Sequence, residues 1–222
     1  MNNSLTELPF PILFQDNHFI IINKPAGMPV YTNRHSTQKS VEDYFPLLSK
    51  RKDGPWLVHR LDQDTAGCLV IALRKQALIN AQSCFEKKQV TKIYWAIVKG
   101  KPSENSGHIN APLLKVTKDK QWSMQQDPKG QAASTKWKLL GSNGDISCLE
   151  LQLLTGRTHQ ARAHCAILGH PIIGDTIYNP KNNQEPHLHL FSRQISLPLS
   201  PPLSAVSEPP EHMLFILKKI NN

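Results

Sequence analysis

The sequence predicts an α+β domain built on a mixed sheet. Two observations carry this. Its apolar runs are short and strand-like, at residues 18–23, 68–73 and 92–99. Helical spacing is confined to a few stretches, so strands and helices do not alternate one for one as a βαβ fold requires. Prolines outnumber glycines 17 to 11, which adds many stiff turns.

In chain order, His18 to Asn23 (HFIIIN) reads as a buried strand. It runs into Lys24-Pro25-Ala26-Gly27-Met28-Pro29, a turn set by two prolines and a glycine. Residues 32–54 are polar around a short helix at 41–48, and Trp56 to Val58 is a brief apolar run. Cys68 to Leu73 is a second buried strand. Leu78, Ala81 and Phe85 give 75–89 one apolar helical face. In 92–99 (KIYWAIVK), Ile93, Trp95 and Ile97 fall on one strand face and Tyr94 and Ala96 on the other. Residues 101–135 lack periodicity and read as an insertion or hairpin. Leu149, Leu151 and Leu153 alternate with Glu150 and Gln152, a half-buried strand. Thr158 is placed to cap a helix over 159–168, which Gly169 ends. The proline-rich segment 197–210 cannot be helical, and 213–219 reads as a closing strand. No internal repeat is present.

Several classes are excluded. No apolar run approaches the ~18 residues that cross a bilayer, and the N-terminus MNNSLTELPF has no basic and apolar leader pattern. Cys68, Cys84, Cys148 and Cys165 are far apart with no CxxC pair, which suits free thiols in a reducing cytoplasm. The formal charge is +9, and residues 86–138 hold 11 of the 26 Lys and Arg but only four of the 17 Asp and Glu. Lysines interleaved with Tyr94, Trp95, Trp122 and Trp137 fit a polyanion binder or, equally, a solvated basic face.

Polar groups gather between apolar strands at two places, where sites usually lie. Residues 59–67 offer His59, Arg60, Asp62 and Asp64; residues 155–164 offer Arg157, His159, Gln160, Arg162 and His164. Asp62 beside an arginine can stay ionised and act as nucleophile or base; the plain alternative is a carboxylate capping a turn. Arg162, one turn beyond Thr158, can reach a ligand from the helix start, or be a surface arginine. His159 and His164 are five apart, poor spacing for a shared metal on one helix face.

Whole strings are more specific than these parts. His59-Arg60-Leu61-Asp62-Gln63-Asp64-Thr65-Ala66-Gly67 resembles the HRLDxxTSG signature of the RluA-type pseudouridine synthases. Asn23-Lys24-Pro25-Ala26-Gly27 resembles that family's NKPxG, and residues 92–100 its KxYxAxVxG. Residues 155–164 (TGRTHQARAH) resemble TGRTHQxRxH and lead into Leu168–Asp175 (LGHPIIGD), like LGHPIxGD. Ala66 stands where the family usually has Ser, and Ala161 and Ala163 replace bulkier aliphatics.

The resemblance implies a mixed, largely antiparallel central sheet with flanking helices and a central RNA-binding cleft. It implies one catalytic domain over 1–222, with no room before Lys24 for a separate RNA-binding domain. It implies an isomerase that turns a uridine of folded RNA into pseudouridine after flipping the base out. Asp62 would be the catalytic carboxylate, attacking the sugar or deprotonating it. Arg162 would pair with Asp62 and hold it ionised, and Tyr94 would pack on the uracil and assist at C5. Arg60 would fill the space the base vacates. Lys24, His59, Thr65, Arg157 and His159 would contact RNA or position the loops. No cofactor or metal is required. The expected partner is a ribosomal or transfer RNA stem-loop, and the expected setting is a cytoplasmic monomer away from membranes. The competing readings are a non-catalytic RNA-binding protein, which would not need Asp62, Tyr94 and Arg162 together, and a metal-dependent hydrolase, which lacks ligand spacing.

Overall fold

The computed structural model of the chain describes residues 7–33, 36–119, 121–180 and 185–220. The first six residues, part of the stretch read above as carrying no leader, and Lys120 of the basic segment lie outside these. In chain order the strands are β1 (Ile12–Gln15), β2 (Phe19–Lys24), β3 (Trp56–Leu57), β4 (Ala66–Ala72), β5 (Thr91–Lys99) and β6 (Ser106–Asn110). They continue with β7 (Leu113–Lys118), β8 (Gln121–Gln126), β9 (Ser134–Ser142), β10 (Ile146–Leu153), β11 (Leu190–Leu197) and β12 (Leu203–Val206). The helices are α1 (Phe45–Leu48), α2 (Lys75–Glu86), α3 (Gln160–Ile167) and α4 (Glu211–Ile220). The chain folds as two compact units, Met1–Val90 with Ser192–Glu208, and Thr91–Phe191 with Pro209–Asn222.

In the first unit the strand order is β1-β2-β4-β11, with β12 on β11 and β3 on one end of β4. Strands β2 and β4 run antiparallel from Phe19 opposite Ala72 to Lys24 opposite Gly67. All seven residues of β4 are buried, which is why its sequence is a continuous apolar run rather than an alternation. Its core joins Ile21, Val70 and Ile195 to Ala77, Ala81 and Cys84 of α2. Gly67 has φ +109°, and an added Cβ there would collide with the Ser192 carbonyl. Only glycine allows β4 to begin this close to its neighbour.

In the second unit the order is β5-β10-β9-β6, antiparallel throughout. Strands β7 and β8 form a separate hairpin. Leu113, Met124 and Ala133 pack against Ala163 of α3, so the small side chain of Ala163 leaves room for the hairpin. Register alternation puts Tyr94, Leu151 and Trp137 on one sheet face and Trp95, Glu150 and Lys138 on the other.

The α+β class predicted from sequence holds, on a mixed and largely antiparallel framework. Three local expectations are corrected and one is borne out. Residues 213–219 lie in helix α4, not in a strand. Pro209 and Pro210 precede the helix, Glu211 sits in its first turn, and Lys218 and Lys219 in its last, as its dipole favours. Met213 and Ile220, seven apart, are its buried residues. The aperiodic stretch 101–135 does contain the hairpin expected there, β7–β8, preceded by β6; much of it is exposed, which is why it carries no alternating apolar signal. Strands β1, β9, β11 and β12 appear beyond those foreseen. Finally, Thr158 does not cap α3: His159 occupies the N-cap, with no side-chain cap, in the left-handed conformation at φ 51°.

Candidate active site

The first unit carries the 59–67 loop. Asp62 is half-buried on a turn closed by Thr65 N–H donating to the Asp62 carbonyl at 3.1 Å. Beneath it, Lys24 is 0% exposed, and its ammonium donates to the carbonyls of Pro25 (2.9 Å), Met28 (2.8 Å) and Gln63 (2.8 Å). Three carbonyl acceptors suit an ammonium, which has three protons to give. Burial pushes the Lys24 pKa down to about 7, against the pull of the Asp64 and Asp62 carboxylates. Gly27 N–H donates to the Gln63 carbonyl at 3.0 Å, a second tie between the two loops.

Of the two expected roles, RNA contact or loop positioning, these contacts fit the second for Lys24, which ties its own turn to the Asp62 loop. Thr65 is 2% exposed and belongs to the floor of the turn. His59 stacks on Phe85 at 5.1 Å, and its Nε2 accepts from Val70 N–H at 3.1 Å, so its tautomer is fixed by β4. Arg60 is exposed, with its guanidinium 5.8 Å from the Tyr31 ring centroid, and remains available to RNA.

The second unit carries Tyr94 and Arg162. Tyr94 is 8% exposed on β5, opposite Leu151. Thr135 lies on that same sheet face, two residues from Trp137, and its hydroxyl is the seat of α3. Gln160 Nε2 donates to Thr135 Oγ1 at 2.9 Å, and Thr135 Oγ1 lies 2.9 Å from His164 Nδ1. His164 Nε2 lies 3.0 Å from the Ala111 carbonyl, so the imidazole donates there and accepts from Thr135. The face that bears Tyr94 thus also receives the helix that bears Arg162.

Arg162 is 5% exposed and is held by Asp175 as a two-toothed pair, Nε to Oδ2 at 2.7 Å and Nη2 to Oδ1 at 2.8 Å. Asp175 is 1% exposed, and its Oδ1 also accepts from Ile177 and Tyr178 N–H at 2.9 Å each. The sequence reading gave Arg162 one carboxylate, Asp62; within its own unit it holds another. Arg157 donates from Nε to the Ala132 carbonyl at 3.1 Å, and its N–H to Gln160 Oε1 at 3.0 Å. Lys92 donates to the Thr155 carbonyl at 3.0 Å, and burial with the Arg157 charge pushes it down to about 8. His159 stacks on Trp122 and approaches both Arg162 and Tyr178.

Asp175 and Tyr178 were not foreseen as site residues. A signal for Asp175 existed: it follows Gly174, whose φ is +75° and where an added Cβ would strike the His187 carbonyl, so the turn that aims Asp175 needs glycine. Tyr178 had none. Among the described residues, no group of three or more His, Cys, Asp or Glu is arranged to hold a metal ion, and no helix is long and apolar enough to cross a membrane.

Comparison with known proteins identifies the family. A family model for RNA pseudouridylate synthases matches residues 18–167. An uncharacterised RNA pseudouridine synthase of Zymomonas mobilis is 39% identical over 206 residues, covering 90% of this chain and 94% of the relative. Ribosomal large subunit pseudouridine synthase D of the same organism is 34% identical over 185 residues, covering 80% of this chain and 58% of the relative. Human RNA pseudouridylate synthase domain containing 4 superposes with a TM-score of 0.80 at 29% identity, over 95% of this chain and 92% of that one. The matched segment contains Lys24, Asp62, Tyr94 and Arg162, and on this basis the chain belongs to the RNA pseudouridine synthase family, isomerases of RluA type that act on RNA.

Proposed function

We propose that the chain converts one particular uridine of a ribosomal or transfer RNA into pseudouridine, as a cytoplasmic monomer, with Asp62, Tyr94 and Arg162 as its catalytic residues. The observation that carries this reading is the Asp62 turn, gripped from inside by the Lys24 ammonium, within a family match that spans it. A carboxylate on so fixed a loop is suited to act at one atom of a flipped nucleotide. In the reaction the N1–C1′ bond breaks, the uracil turns, and C5 bonds to C1′ while its proton leaves and N1 gains one. Asp62 acts at the sugar, by attack at C1′ or by removing a sugar proton. Tyr94 packs on the uracil and assists proton loss from C5. Arg162, fixed by Asp175, is the site's buried cation. Arg60 takes the place of the flipped base, and Arg157 and His159 lie at the RNA-facing start of α3.

No atom is gained or lost and there is no net oxidation or reduction, so the reaction calls for no cofactor. The name of the Zymomonas mobilis synthase D relative favours ribosomal RNA. Because C5 loses its hydrogen, RNA tritiated at uridine C5 releases tritium as pseudouridine forms. Asp62→Asn is expected to cut the single-turnover rate by more than about a thousandfold while RNA binding persists. A variant that still releases tritium at the wild-type rate would sink the assignment of Asp62, whereas a wild-type chain that binds RNA and releases none would favour the competing reading, a non-catalytic RNA-binding protein. Pseudouridine mapping in cells with and without the gene names the target uridine.

A further inference from the structure

The Asp175 carboxylate holds Arg162 by Nε and Nη2. The remaining edge, Nη1, points to His159 Nε2 at 3.4 Å. An arginine has no acceptor, so this contact needs His159 Nε2 unprotonated and places the proton on Nδ1, 3.4 Å from the Tyr178 hydroxyl. Tyr178 lies beneath the guanidinium, 5.5 Å from its ring centroid, and its hydroxyl also accepts from Met124 N–H of β8 at 2.8 Å. One more group completes the set. Trp122 of β8 stacks on His159 with ring centroids 4.6 Å apart and 28° between planes. His159 holds the left-handed conformation, φ 51°, which is uncommon for residues other than glycine although histidine is among those that adopt it more often.

We propose that Trp122 is a positioning residue for Arg162: by stacking on His159 it fixes the imidazole that, with Tyr178, holds the Nη1 edge of the guanidinium, so the β7–β8 hairpin sets the rate of the reaction and not only the affinity for RNA. The inference rests on the function proposed above. Trp122 packs on the same apolar cluster that seats the hairpin, and the hairpin has ties besides it. Leu113 and Met124, packed on Ala163, and the Met124–Tyr178 hydrogen bond already seat it. On its exposed side the Lys115 ammonium lies 4.7 Å from the Trp122 ring centroid, so the same indole that touches His159 touches the hairpin's charged surface.

The test uses the full chain and total RNA, tritiated at uridine C5, from cells lacking the gene. Single-turnover release is followed at increasing enzyme concentration. Trp122→Ala is expected to lower the rate at saturation about ten- to a hundredfold, the effect of misplacing a catalytic group by about an ångström. Trp122→Phe, which keeps a stacked ring, is expected to recover most of that loss. A saturating rate for Trp122→Ala equal to wild type, whatever its half-saturation point, overturns the proposal. Should Trp122→Ala fail to fold, Tyr178→Phe removes one hydroxyl from the same arrangement, and an unchanged saturating rate there overturns it equally. A wild-type chain that releases no tritium would instead defeat the proposed function itself.

Discussion

Lys24 directs its side chain inward, to the loop that carries Asp62. The ammonium is buried, and each of its three protons has a carbonyl oxygen 2.8–2.9 Å away. Replacing it with methionine keeps most of the volume and removes the donors. Each carbonyl left without a partner costs about 1–3 kcal/mol, and relief from burying a charge offsets part of that. Lys24→Met is therefore expected to destabilise the chain by about 3 kcal/mol, read as a lower urea midpoint. It should also slow tritium release at saturating RNA, because Gln63, whose carbonyl it loses, adjoins Asp62. Unaltered stability would mean that the loop is held by Gly27 and its own turn. At this scale the sequence names residue types well and their directions poorly. Asp62 and Arg162 stand out from their strings, but nothing in the chain tells a lysine that meets phosphate from one that meets carbonyls. Asp175 is legible as the end of the LGHPIIGD string, after a Gly174 whose conformational freedom aims it, but not as the partner of Arg162.

The helix α3 is seated by a chain of hydrogen bonds that works with one tautomer. Gln160 donates to Thr135, Thr135 to His164 Nδ1, and His164 Nε2 to the Ala111 carbonyl. Neutral His164 satisfies both neighbours, and burial pushes its pKa below the usual histidine value. His189 and His212 are likewise pushed down, chiefly by burial. For a group with a lowered folded pKa, the unfolded chain binds the proton first. Stability is thus fully present above the ordinary value near 6.5 and falls as pH drops below it. The urea midpoint is expected to decline from pH 7 to pH 5, and less steeply in His164→Gln; parallel slopes would count against this seat. The same helix shows what periodicity reads and what it misses. The apolar face of α3 and its end at Gly169 are legible, whereas the left-handed turn at His159 carries no periodic signal, and the Trp122 ring stacked on that histidine lies 37 positions away in sequence. In α4 the run MLFILKK fits a strand by composition, and only the prolines before it and the seven-residue spacing of Met213 and Ile220 favour a helix.

Over the whole molecule, the excess positive charge lies in residues 86–138, and the fold divides that segment between surfaces of different kinds. Lys136 and Lys138 are exposed on β9, opposite Gln152 and Glu150, on the sheet face away from Tyr94. The Glu150 carboxylate across from Lys138 offsets part of its charge. Lys115 and Lys118 are exposed on the hairpin that packs against α3, and Lys115 rests on Trp122. The sequence could show that the segment is basic, but not which lysines share a surface with Tyr94 and Arg162, because that is decided by strand register. RNA bound for the proposed reaction should therefore be held by the hairpin lysines. Each phosphate contact removed lowers the slope of log affinity against log salt by about 0.7–0.9. Lys115→Gln with Lys118→Gln is expected to weaken RNA binding at 0.1 M salt and flatten that slope. Lys136→Gln with Lys138→Gln should leave both close to wild type, although it removes the same formal charge. Equal losses from the two pairs would show that net charge alone attracts the RNA; a loss confined to the β9 pair would place the RNA on the face opposite Tyr94, and would count against Tyr94 as the residue that meets the base.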